Sequence, residues 1–98
     1  MFKDDLKEAN EIDIKFSKKC SDITEKVHEI VAPICEKYDI RPLAENAIPI
    51  HSTIVINMIN PKGTVPNELV NEIGEKLESD NIDIGLANER ITLTVKYN

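Results

Sequence analysis

Between Ile48 and Asn60 the chain reads Ile-Pro-Ile-His-Ser-Thr-Ile-Val-Ile-Asn-Met-Ile-Asn, the one long β-type run in the sequence. Side chains alternate faces along a strand. Ile50, Ile54, Ile56 and Met58 therefore share one side, and His51, Thr53, Val55, Asn57 and Ile59 share the other. The first side is apolar apart from Ser52, and the second mixes Val and Ile with polar residues. A run this apolar on both sides predicts a central strand rather than an edge. The rest of the chain must then supply strands on either side of it and a cover for its apolar face.

The cover comes first in the chain. No Pro or Gly occurs before Pro33, and Phe2, Leu6, Ala9, Asp13, Phe16, Cys20, Ile23, Val27, Ile30 and Ile34 recur at alternating spacings of four and three. Nine of these ten heptad positions are apolar, which predicts one long amphipathic helix. Pro33 removes a backbone donor and clashes with the carbonyl of Glu29, predicting a kink there and an end by Tyr38 or Asp39. A second reading competes with the first. Residues 11–16 also alternate, with Ile12, Ile14 and Phe16 apolar, which is the period of a strand, and Ser21 would then cap a fresh helix.

Length gives the helix a functional meaning. A helix over residues 4–38 would span roughly 50 Å, whereas a domain of this size has a diameter of roughly 33 Å. The overhang would expose an apolar stripe that a second copy could cover. Phe2, Leu6, Phe16, Cys20, Ile23 and Val27 are the expected contact residues, unless the helix breaks near residues 10–13 and folds back.

Residues 41–49 carry two prolines and read as a loop or a short edge strand. Pro61-Lys-Gly-Thr64 is a tight turn. Thr64 is the expected cap of a second helix, with Pro66 in its first turn and Leu69, Val70, Ile73 and Leu77 as its buried stripe. Gly74 should weaken that helix by about 1 kcal/mol relative to Ala. The C-terminus predicts a hairpin turning at Asn88-Glu89, in which Ala87 faces Arg90, Leu86 faces Ile91, Ile84 faces Leu93 and Ile82 faces Val95. Asp83, Gly85, Arg90, Thr92, Thr94 and Lys96 then form a solvated face.

Ninety-eight residues, 41% of them hydrophobic, fit a single domain over residues 1–98. The expected fold is an α+β two-layer sandwich. A long N-terminal helix and a second helix pack on one face of a three- to four-stranded sheet, with the last strand between the other two and antiparallel to both. The alternative is a ferredoxin-like βαββαβ arrangement with an extra C-terminal strand, which requires a strand at residues 11–16.

Composition narrows function by exclusion. The net charge is −6, and only Lys15, Lys18 and Lys19 begin a basic cluster, so no nucleic-acid partner is expected. No long apolar run predicts a membrane span or a secretory signal, and a cytoplasmic location follows. Cys20, Cys35, His28 and His51 have no metal-ligand spacing. Within one helix the two cysteines would lie about 22 Å apart, beyond disulfide reach. Neither metal nor cofactor is therefore expected, and both thiols should be reduced.

His51 is the only candidate general base, with Glu45 or Arg41 as company, and His28 should point to water. The row Glu68, Glu72, Glu75 and Glu78 is a solvated face or a dock for a basic partner. The resulting expectation is a non-enzymatic interaction or assembly protein, a homo-oligomer or the binder of a protein partner, that associates through its N-terminal amphipathic helix. A small regulatory module binding a metabolite against a ferredoxin-like sheet is the alternative.

Overall fold

The computed structural model describes residues 1–12 and 18–98. Its elements are α1 (Phe2–Ile12), α2 (Lys18–Lys37), β1 (Arg41–Ile48), a 3-10 turn (Pro49–His51), β2 (Thr53–Ile59), α3 (Asn67–Lys76), β3 (Asn81–Ala87) and β4 (Arg90–Lys96). The four strands form one antiparallel sheet in the order β1-β2-β4-β3, and the helices pack on it as a second layer. The expected α+β sandwich is thus the fold, with four strands where three to four were expected.

The β-type run supplies an interior strand, as its two-sided apolarity requires, but a shorter one. Pro49 and the left-handed backbone at Ser52 (φ 50°) turn the chain between β1 and β2. Ile54, Ile56 and Met58 lie fully buried beneath the helices, while Ile50, displaced into the turn, is 61% exposed. The C-terminal hairpin has the predicted register, with Leu86 opposite Ile91, Ile84 opposite Leu93 and Ile82 opposite Val95, and Asn88 supplies the positive φ of its turn. β4 lies between β2 and β3, antiparallel to both. The units β2, α3 and β3 therefore form a split βαβ with the last strand in its gap. The βαββαβ alternative fails at its first element, because Glu11 and Ile12 belong to α1; residues 13–16 lie outside the described residues.

The single N-terminal helix is corrected to two. Lys19 at the start of α2 reaches Asp5 of α1, with Nζ 3.4 Å from Oδ1, and Glu8 at 3.7 Å. In an unbroken helix residues 5 and 19 would stand about 21 Å apart, so α1 folds back beside α2. The longest dimension of the molecule is 41 Å, too short for an unbroken helix over residues 4–38. The heptad pattern is satisfied all the same, because Phe2, Leu6, Ala9, Ile23, Val27 and Ile34 join one core. Such a pattern records which residues are buried, and two short helices leaning on one sheet bury them as well as one long helix does.

Pro33 lies inside α2 without ending it. α2 closes instead with a Schellman motif, in which Ile40 N–H donates to Cys35 O (2.9 Å), Asp39 N–H donates to Glu36 O (3.1 Å) and Asp39 adopts φ 57°. α3 ends the same way. Ser79 N–H donates to Gly74 O (2.9 Å), Glu78 N–H donates to Glu75 O (3.3 Å), and Glu78 has φ 60°. At its start α3 departs from expectation. Thr64 does not cap it; the backbone of Pro66 does, and the Thr64 carbonyl accepts from Asn60 Nδ2 (2.7 Å).

Candidate interaction surface

The sheet has two edges, and the chain treats them differently. β1 was expected as a loop or a short edge strand; it is an edge strand of eight residues. Pro42 lacks an N–H, Leu43 forms a bulge that breaks the register against β2, and Glu45 points inward. Proline, a bulge and an inward charge are the devices by which natural sheets refuse a further strand.

The inward carboxylate is part of a small buried group. Glu45, 9% exposed, lies on the helix-covered side of β1 and bonds through Oε1 to Nδ1 of the half-exposed His28 on α2. One turn-pair further along the same face, Cys35 donates towards Met58 Sδ at 3.9 Å. Burial, then the nearby Glu45 carboxylate, push the Cys35 thiol up to about 11. This thiol is fully protonated at neutral pH, the opposite of what a nucleophile requires.

β3 has none of the three defences. It pairs with β4 without a register break, contains neither Pro nor Lys, and carries one charge, Asp83, which is held by Lys96 across the strands at 2.5 Å. Along its outer side alternate N–H and C=O groups meet no strand among the described residues. Its helix-side residues are also left bare, with Ile84 50% and Leu86 47% exposed. α3 reaches only as far as Ile82. Beside it runs a groove of about 610 Å³, floored by Val70, Gly74 and Ile82 and rimmed by Asn71, Glu75, Glu78 and Asp80. Gly74 allows this close approach of helix and strand, since a Cβ there would lie 2.8 Å from Ser79 O.

The residues singled out in the sequence fall elsewhere. Phe2, Leu6, Ile23 and Val27 are at most 2% exposed within the single chain, and Cys20 packs half-buried against the same core; Phe16 lies outside the described residues. These four lie in the core of the single chain, where α1 and α2 pack on the sheet. His51 sits exposed on the 3-10 turn, and Glu45, its expected companion, bonds to His28 instead. His28 was expected to point to water and does so only in part.

In the acidic row, Glu72 accepts from Lys37 Nζ and from Tyr38 Oη (3.1 Å). The Lys37 bond holds the Glu72 carboxyl below its ordinary value. Both cysteines are free. Among the described residues no cluster of three or more His, Cys, Asp or Glu side chains is placed to hold a metal, and no helix is long and apolar enough to cross a membrane.

Sequence reasoning found Ile84 and Leu86 and their pairing with β4 on one apolar face, but not their exposure. No family model, curated protein or solved structure matches the chain.

Proposed function

We propose that the protein is a non-catalytic interaction module that takes up an extended segment along the outer edge of β3. One observation carries this reading: of the two sheet edges, β1 is closed by three independent devices, whereas β3 runs without a register break, lacks those devices and is flanked by bare Ile84 and Leu86. An added strand would gain main-chain hydrogen bonds from β3, and its alternate side chains would cover the two exposed apolar residues. The half of the expectation that names an interaction protein is retained, and its surface moves from the N-terminal helix to the C-terminal hairpin.

The test is to titrate the protein with a short peptide of alternating apolar and polar residues and to follow backbone amide resonances. Shifts confined to β3 and the α3 groove, abolished by Leu86→Lys, are the expected result. Shifts centred on α1 or on β1 would overturn the proposal.

A further inference from the structure

Resting on the β3-edge reading, we infer that the segment taken up is β3 of a second copy of this chain, joined antiparallel about a two-fold axis into one eight-stranded sheet. The pairing is self-complementary in its side chains. In a two-fold antiparallel pair with the helix layers on the same side, residues opposite one another share a face, so the register is fixed by the residue on the axis.

With Ile84 on the axis, Ile84 meets its own copy, Ile82 meets Leu86 of the second chain, and Asp83 meets Gly85. With Gly85 on the axis, Ile84 meets Leu86 twice and Asp83 meets Ala87. Both arrangements cover every bare apolar residue of β3 with another. With Asp83 on the axis the two carboxylates stand opposed, which is unfavourable. The single charge of the strand thus selects among registers without preventing the pairing, and Lys96 already neutralises it within each chain.

Charge elsewhere favours apolar and main-chain contact as the binding force. Each copy carries −6, and the groove rim adds Glu75, Glu78 and Asp80 close to the joint. Like-signed chains repel at long range, and salt screens that repulsion. Association should therefore strengthen as salt is added, the reverse of a complex held by opposite charges. A second copy also explains why only one edge is open: a chain with two open edges would polymerise, and closing β1 while opening β3 stops assembly at two.

The experiment is light scattering behind size exclusion across a concentration series at low and high salt, on the full chain and on Ile84→Lys, Leu86→Lys and Ile50→Lys. Circular dichroism establishes that each variant is folded. The expected result is a mass rising from 11.1 kDa towards twice that value, more readily at high salt. Either β3 variant should weaken association about tenfold or more, since it sets a lysine against an apolar side chain of the other copy or, for Ile84→Lys with residue 84 on the axis, against its own copy. Ile50→Lys, which changes an exposed isoleucine away from β3, should associate as the parent does.

A dimer that survives both β3 variants overturns the second-copy inference, because the copies then meet elsewhere. A parent that stays at monomer mass throughout overturns the second-copy inference; the β3 resonances on adding the alternating peptide then show separately whether the edge reading stands.

Discussion

Gly74→Ala sets two physical effects of opposite sign against each other. In an exposed helix Ala is favoured over Gly by about 1 kcal/mol. The structure supplies the opposing term. A Cβ at residue 74 would lie 2.8 Å from the carbonyl oxygen of Ser79 and 3.1 Å from Cδ1 of Ile82, so relieving the first contact alone needs a shift of roughly half an ångström to reach ordinary packing distance.

The Ile82 side chain can give a little, but the Ser79 backbone is tied on three sides. Its N–H donates to Gly74 O (2.9 Å), its hydroxyl donates to Lys96 O (2.5 Å), and that hydroxyl accepts from Asn81 N (3.2 Å). Overpacking costs about 1–3 kcal/mol, and loosening one of these hydrogen bonds costs about 1 kcal/mol more. The net expectation is a loss of roughly 1–3 kcal/mol despite the better helix former. Urea unfolding followed by circular dichroism measures it, with an unchanged slope required for the comparison. Gly85→Ala is the control, because its Cβ would meet Thr92 at 3.7 Å and 3.8 Å, and it should shift stability by less than about 0.5 kcal/mol. A midpoint that rises in Gly74→Ala would refute the argument that the α3 to β3 turn has no slack.

Three further outcomes follow from the geometry. The Cys35 thiol should resist alkylation at neutral pH in the folded state and react only on unfolding. An unfolded thiol ionises near its ordinary 9.0 and the folded one near 11, so over that window the unfolded state binds fewer protons and stability falls as pH rises. The decline due to this group is about 2–3 kcal/mol, and Cys35→Ala should lack it in a pH series of urea titrations. His28→Ala leaves the Glu45 carboxylate buried without its partner and should cost about 1–3 kcal/mol, whereas Glu45→Leu should be near neutral in stability. Glu45→Leu should also raise turbidity on concentration, because it removes the inward charge that guards β1; equal stability of His28→Ala and the parent would refute the role given to the pair. Glu78→Gly should raise Tm, by about 1 kcal/mol of stability, because Glu78 holds a left-handed backbone that glycine adopts without strain. The exposed contact between Glu78 and the Met1 ammonium, 3.5 Å, contributes little against that.

The sequence by itself determined much of what depends on local period and chemistry. The hairpin register from Ile82 to Val95 followed from alternation and from one residue, Asn88, able to take a positive φ. The interior position of β2 followed from its two apolar faces, and the burial of Phe2, Leu6, Ile23 and Val27 from a four-three repeat.

What only the tertiary structure decided is where a pattern is spent. A heptad stripe states that a face is covered but not by what, so one long helix with a partner and two helices folded on their own sheet are equally consistent with it; the meeting of Lys19 with Asp5 selects the second. Gly74 changes from a weakness of α3 into a requirement because Ser79 O, five residues on, turns back over it. Glu45 and His28, seventeen residues apart, have no shared period, and only the seating of α2 over β1 brings them together. The bareness of Ile84 and Leu86 is likewise invisible in their alternation, which is that of a buried strand. It arises because the helices run out before the sheet does, and the extent of one layer over another is a property of the assembled chain.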